Sequence, residues 1–245
     1  MTPGAPVYWY DEIDSTSAEV RRRARLGELG PLWIAARSQS AGRGRLGRSW
    51  SSPPGNLFTT ALLTEPGGLS AAARIPFAAG LSVHDACKSV LPDVDFRLKW
   101  PNDVRVDGAK MCGILVESGE TNGVTWIAVG IGLNVQTAPH ADQPTCSLHT
   151  LGAPLALSAE HMLEALRPAF CKRLAQARDG FPGLLNAWQG VAEGLGQTVR
   201  AGPPDARLEG VFEGLAEDGG LIMRLPNGAM HTIRAGDVDL VRRID

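Results

Sequence analysis

No run of about 18 apolar residues occurs anywhere in the sequence, which argues against a membrane-spanning helix. The N-terminus, MTPGAPVYWYDEIDSTS, lacks a basic segment followed by an apolar stretch, so no secretory signal is expected. There are only four cysteines (Cys87, Cys112, Cys146 and Cys171), none in a CxxC pair and most among apolar neighbours. That pattern speaks against a disulfide framework or a zinc site, and for reduced core thiols in a cytoplasmic protein. The five histidines are scattered without ligand spacing, so no metal centre is expected. Aromatic residues make up 6% and the formal net charge is −2. The chain therefore offers no broad basic field for nucleic acid or a membrane surface. Any cationic site has to be local.

What is present is ordinary for a globular chain: 44% hydrophobic and 20% charged residues over 245 positions. That length suits one large domain with a small appendage. A helix is predicted from Thr16 to about Leu26, with Thr16 and Glu19 as a capping box and a solvated Arg-rich surface behind it. Leu32 to Ala36 reads as a short buried strand, followed by the polar segment SQSAGRGRLGRSWSSPPGN and a second strand from Leu57 to Leu63. Ala71 to Val90 reads as one helix. Phe96 to Trp100 and Gly113 to Glu117 read as strands, joined by the turn signals Pro101-Asn102-Asp103 and Asp107-Gly108. Trp126 to Val135 is a further strand. Ser158 to Trp188 reads as one or two helices, with Ser158 as a cap and a break at Pro182-Gly183. Beyond Gly194 the texture changes to short apolar runs (198–200, 208–214, 221–225, 230–233 and 238–241). Asp218-Gly219-Gly220 and Asn227-Gly228 punctuate them, which predicts a small β-barrel. The expected division is 1–194 and 195–245.

Four segments carry chemistry. Between Arg37 and Arg48 lie four arginines and no acidic residue, around Gly42-Arg43-Gly44-Arg45-Leu46-Gly47-Arg48-Ser49-Trp50. Glycines allow close approach of the backbone, and arginine forks bind carboxylate and phosphate. Either an anion loop or a flexible surface loop fits. Lys99-Trp100-Pro101-Asn102-Asp103 is a plain turn or a ligand loop at a strand end. In Lys110-Met111-Cys112-Gly113-Ile114-Leu115-Val116-Glu117 the strand reads as buried on both faces. Lys110 there either reaches solvent or sits beside an anion, and Gly113 marks a close approach. Alternation in Gly130-Ile131-Gly132-Leu133-Asn134-Val135 puts Gly130, Gly132 and Asn134 on one face, as a trough for a flat ligand or a tight packing contact.

Together, and in this order, GRGRLGRSW, KWPND, KMCGILVE and GIGLNV with DST upstream resemble the bacterial biotin–protein ligase family, closely over residues 7 to 136. The resemblance implies an α+β fold. Its mixed sheet, flanked by helices, is of the kind shared by class II synthetases and biotin–lipoate ligases, with a C-terminal SH3-like barrel. It implies ATP-dependent formation of biotinyl-5′-adenylate and transfer of biotin to a lysine of a biotin carboxyl carrier protein, the acetyl-CoA carboxylase subunit. ATP, biotin and Mg²⁺ are the expected cofactors, and a homodimer is a possible assembly. Ser15, Thr16, Ser17 and Gln39 match positions around biotin's polar ends, as do Gly42, Arg43, Gly44 and Arg45 of the closing loop, Lys110, Gly113 and Gly132. Arg45, Arg48, Trp50, Lys99, Asn102, Asp103, Lys110 and Asn134 match the nucleotide side, with Lys110, Arg45 and Asp103 as the catalytic group. Ser17 stands where the family often has Asn, and GLNV replaces the commoner GINV. The DST segment begins at residue 14, which leaves no room before it for the DNA-reading domain of some relatives, so a ligase-only form is expected.

The chemistry explains the residue types. Biotin's carboxylate and the α-phosphate are both anions, and two charges ~4 Å apart repel by about 4 kcal/mol at an effective dielectric of 20. Arg43, Arg45 and Lys110 offset that repulsion. The carrier lysine, with a free pKa of about 10.4, has to lose a proton before it attacks, and Asp103 is expected to orient or deprotonate it. A lipoate ligase, or a lipoyl or octanoyl transferase of the related fold, is the nearest rival.

Overall fold

The computed structural model describes residues 1, 2, 4 to 203 and 205 to 241, apart from the side chains of Leu69 and Ser70. The last four residues of the expected C-terminal unit lie outside them. Seven strands form a mixed sheet: β1 (Val7–Ile13), β2 (Leu32–Gln39), β3 (Leu57–Thr64), β4 (Arg97–Lys99), β5 (Asp103–Val106), β6 (Ala109–Thr121) and β7 (Val124–Leu133). Their order is β1-β2-β3-β7-β6-β5-β4; only β1 and β2 run parallel.

Helix α1 (Thr16–Arg25) covers one face of the sheet, where Val20 and Ala24 pack on Leu32, Ile34, Leu62, Trp126 and Ala128. The other face carries α3 (Ile75–Val90), α4 (Ala159–Asp179) and α5 (Phe181–Gly190), with the short α2 (Gly68–Ala72) leading in. Alternation along β3 supplies both faces: Leu62 points into the α1 cluster, while Leu57, Ala61 and Leu63 join the larger core. Because α1 stops short of β6 and β5, that end of its face stays open.

The C-terminal strands β8 (Thr198–Gly202), β9 (Leu208–Leu215), β10 (Leu221–Arg224), β11 (Met230–Ile233) and β12 (Asp237–Leu240) form an antiparallel sheet ordered β11-β10-β9-β8-β12. Its buried side chains, among them Phe212, Leu221 and Val238, run into the main core. The Trp100 indole N–H donates to Gly219 O at 3.1 Å, and Gln189 Oε1 accepts from the Leu215 N–H at 2.8 Å. The small sheet is thus fixed against the large one.

Several expectations are corrected. The N-cap of α1 is Ser15, not Thr16, and no side chain caps it. The hydroxyl and N–H of Thr16 both turn to Gln39, and Glu19 is held by Arg22 and Arg23 instead of the backbone. The Arg-rich face is largely paired: Arg22 grips Asp14 with both guanidinium nitrogens and Arg21 meets Glu117. The helix expected from Ala71 is broken between Ala72 and Ile75, and Pro76 sits in the first turn after the break. The turn segment after Trp100 contains a strand, β5, and β1 was not anticipated at all. Ser158 does cap α4, reciprocally with His161.

Candidate active site

The open end of the α1 face is a cleft of about 890 Å³. Its floor is a single cross-strand row. Phe58 on β3 is paired with Gly132 on β7, Gly132 with Gly113 on β6, Gly113 with Asp103 on β5, and Asp103 with Lys99 on β4. Residues directly opposite in a ladder share a face, so four segments far apart in sequence become neighbours on one surface. The two glycines leave a gap in the row, and the Trp50 indole lies in it. A Cβ on Gly132 would stand 2.5 Å from Trp50 Nε1, and one on Gly113 would stand 2.8 Å from Cζ3.

Strict alternation would turn Lys110, three residues from Gly113, to the opposite face. The ladder pairs Val104 with Cys112 but Arg105 with Lys110, so Met111 is the extra residue of a bulge. That bulge brings Lys110 round to the cleft. Its Nζ is 2.7 Å from Asp103 Oδ1 and 5.3 Å from the Trp50 ring centroid. Lys110 is thus beside an anion, as one of the two sequence readings held. The expectation that this strand is buried on both faces is wrong: Lys110, Gly113 and Leu115 are only half-buried, because the cleft opens over them. Burial pushes the neighbouring Cys112 thiol well up, which removes it as a nucleophile.

At the α1 end, Ser15, Thr16 and Ser17 are buried polar residues. Ser15 and Ser17 share a hydroxyl hydrogen bond of 3.0 Å. Thr16 donates through its N–H to Gln39 Oε1 at 2.9 Å, and its hydroxyl meets that of Thr60 at 2.8 Å. Gln39 Nε2 donates to Ser52 Oγ, which donates to Trp50 O at 3.0 Å. One polar chain therefore ties the helix start to the backbone of the indole.

The Arg–Gly segment is a tight loop. The Gly44 N–H donates to Arg48 O at 2.7 Å and the Trp50 N–H to Gly42 O at 2.9 Å. Arg45 donates to Asn102 Oδ1 at 3.0 Å and to Gly236 O at 3.3 Å, and it stands 3.5 Å from Asp237. Burial takes some basicity from its guanidinium. Arg48 also reaches Asp237, Arg43 reaches Glu117, and Lys99 reaches Asp239 at 2.9 Å. Asp239 holds Arg207 as well, at 2.7 Å. Asp237 and Asp239, two apart on β12, thus present a carboxylate comb to the cations of the other sheet. The pattern Asp-Val-Asp-Leu was the signal for it, but nothing in the sequence says which face meets the cleft.

The structure places Ser15, Thr16, Ser17, Gln39, Arg43, Gly44, Arg45, Arg48, Trp50, Lys99, Asn102, Asp103, Lys110, Gly113, Gly132 and Asn134 along this cleft. Gly42 stands behind it, where a Cβ would meet Trp50 O at 2.4 Å. The residues that sequence reasoning missed are Thr60, Ser52, Asp237, Asp239, Arg207 and the segment 139–143. Among the described residues no cluster of three or more His, Cys, Asp or Glu is arranged to hold a metal, and no helix is long and apolar enough to cross a membrane.

Residues 12–134 match the model of the biotin/lipoate A/B protein ligase family, and residues 194–241 match that of the biotin protein ligase C-terminal domain. The chain belongs to this ligase family. A biotin–[acetyl-CoA-carboxylase] ligase of Paracoccus denitrificans is 41% identical, over 88% of this chain and 92% of its own. The enzyme of the same name from Mycobacterium tuberculosis is 29% identical over 93% and 86%. Among solved structures, a biotin protein ligase from Aquifex aeolicus in complex with biotin and ATP superposes with a TM-score of 0.79 at 27% identity, covering 97% of this chain and 99% of that one. The ligase-family match accounts for both sheets: the first model ends just after β7 and the second begins just before β8.

Proposed function

We propose that this ligase activates biotin with ATP as biotinyl-5′-adenylate and transfers the biotinyl group to a lysine of a biotin carboxyl carrier protein. The observation that carries the reading is the floor row ending in Asp103 and Lys99, with Lys110 turned onto it beside Trp50. It combines a flat apolar contact with a cation at its edge, which suits a bicyclic acid that must be brought to a phosphate.

In this reading the hydroxyls of Ser15, Thr16 and Ser17, with Gln39, receive biotin's polar head, and Gly132, Gly113 and Trp50 receive its apolar body. Lys110 gives up Asp103 as its counter-ion and takes the carboxylate and α-phosphate between its own charge and that of Arg45. Arg43, Gly42 and Gly44 keep the loop closed over the adenylate, which protects the mixed anhydride from water. Arg48, Lys99, Asn102 and Asn134 stand on the nucleotide side. Asp103, released from Lys110, is then placed to accept the proton of the carrier lysine. No cluster among the described residues is arranged to hold a metal, so Mg²⁺ would be carried chiefly by the triphosphate and water and would supply charge neutralisation there. The division near residue 195, a cytoplasmic location consistent with four free cysteines, and a homodimer through the open β1 edge belong to the same reading.

ATP–pyrophosphate exchange, measured with and without biotin, tests it. Biotin-dependent exchange is expected. Exchange that responds to lipoate instead, or no exchange at all, would overturn the proposal.

A further inference from the structure

Asn56 opens β3 and is 1% exposed, yet it does not line the cleft. Its Oδ1 accepts the N–H groups of three consecutive residues, Val135 at 2.9 Å, Gln136 at 3.1 Å and Thr137 at 3.1 Å. Its Nδ2 donates to Thr137 O at 3.0 Å and to Thr137 Oγ1 at 3.1 Å. A carboxamide is here spent wholly on another segment, mostly on its backbone, and three successive N–H groups converge on one oxygen only where the chain turns sharply.

The turn has a specific result. Chain leaving β7 after Asn134 is folded back so that Pro139, His140, Ala141, Asp142 and Gln143 form one wall of the cleft. Its far end is tied to β6 beside the catalytic lysine: the Lys110 N–H donates to Pro144 O at 2.8 Å, and the Cys146 N–H to Lys110 O at 3.1 Å. Asn134 sits between the two anchors. Its Nδ2 donates to Cys146 O at 3.0 Å, while its buried Oδ1 has no hydrogen-bond partner among the described residues.

We propose that Asn56 is a positioning residue for the nucleotide. By fixing residues 135–137 it sets the wall 139–143 and the aim of the Asn134 amide, while touching no ligand itself. This rests on the reading above that the Asn134 side takes the nucleotide. A side chain that merely stabilised the fold would affect biotin and ATP alike; this one acts on a wall that biotin's end of the cleft does not share.

Two measurements on the full chain test the inference. In the parent protein, hydrogen exchange over residues 137–145 is followed with biotin alone and with biotin plus a non-hydrolysable ATP analogue. Protection is expected to rise only with the nucleotide. A segment indifferent to the nucleotide overturns the nucleotide-side reading and this inference with it. Then Asn56→Ala is compared with Asn56→Asp in biotin-dependent exchange. In the alanine variant the KM for ATP should rise about tenfold, with the KM for biotin within about twofold. The aspartate can still accept the three N–H groups, and although it loses the bond to Thr137 O its second oxygen can accept from the Thr137 hydroxyl, so it should bring the KM for ATP back to within about threefold. If the segment does respond to the nucleotide but the alanine variant keeps a parental KM for ATP, or both KM values rise together, the role of Asn56 falls and the nucleotide-side reading stands. Asn56→Ser, whose hydroxyl lies one carbon nearer its own backbone and falls short of the three N–H groups, takes the place of alanine under the same criteria if the alanine variant does not fold.

Discussion

Lys110 and Asp103 face each other at 2.7 Å across the β5–β6 ladder, with Lys110 Nζ 5.3 Å from the centre of the Trp50 indole. Each is largely withdrawn from solvent, with 17% and 13% of its side chain exposed. An ion pair this enclosed offsets a desolvation cost of its own, and it leaves an uncompensated charge when one partner is removed. In the proposed reaction the pair holds both groups in reserve, Lys110 as a cation for the anions of the first step and Asp103 as a base for the second.

Asp103→Asn separates the two steps. Transfer from preformed adenylate to a carrier lysine should slow about 100-fold, the usual loss for a general base. Lys110→Gln should instead slow biotin-dependent ATP–pyrophosphate exchange by about 100-fold or more. Transfer at the parental rate in the Asp103 variant would remove that residue from the second step.

Gly132→Ala tests the floor. The new methyl would stand 2.5 Å from Trp50 Nε1 and 2.6 Å from Cε2, so the indole has to move. Overpacking of this kind costs about 1–3 kcal/mol, and the KM for biotin should rise about tenfold. An unchanged KM would mean that the indole's seat on the glycines does not shape the biotin site.

Asp237→Ala tests the tie between the two sheets. Asp237 pairs with both Arg45 and Arg48, 3.5 and 3.3 Å away. Exposed pairs are worth at most about 1 kcal/mol together, so trypsin should cut the unliganded loop after Arg45 or Arg48 about fivefold faster in the variant. Biotin with a non-hydrolysable ATP analogue should remove the difference. Equal cutting of both unliganded proteins would mean that the loop is held from within.

Asp85→Asn probes acid stability far from the cleft. Burial alone would raise the Asp85 pKa, but the His84 ring 3.6 Å away and the Arg173 guanidinium, which donates to both carboxylate oxygens, bring it from 3.8 to about 2. A pKa lowered in the folded state stabilises above the unfolded value and is lost as pH falls through the folded one. The variant should therefore be less stable than the parent by about 1 kcal/mol at pH 7, with the gap narrowing by about half near pH 3, as read from urea midpoints. A gap that does not change with pH would assign the effect to packing.

Much of the fold was legible in the sequence because the signals were local. Leu57–Leu63 and Met230–Ile233 are apolar runs between turn residues, and both are strands within a residue of the expected ends. Ser158 announced α4, since a cap is a matter of a few neighbouring atoms. Strand β1 escaped because Val7–Ile13 has no clean alternation: it lies at the sheet edge with little of it fully buried. The capping box at Thr16 failed for a tertiary reason, since Gln39 and Thr60, distant in sequence, take the Thr16 hydroxyl.

By itself the sequence determined the parts of the site: an arginine-rich glycine loop, a lysine at a strand mouth, two glycines and an amide at alternate positions, and an ordered set of motifs that names the family. Its periodicity also marked Leu32–Ala36, Leu57–Leu63 and Trp126–Val135 as strands. Only the tertiary structure decided how the parts meet. Whether Gly132, Gly113, Asp103 and Lys99 form one row depends on the register of four strands, which no single strand encodes. Whether Lys110 joins them depends on one extra residue, Met111, in that ladder. Whether Arg45 and Arg48 stand alone depends on Asp237, carried in by a sheet almost 200 residues further on. Side-chain chemistry is a property of the residue, but the pairing of charges is a property of distance, and distance is settled only when the chain has folded.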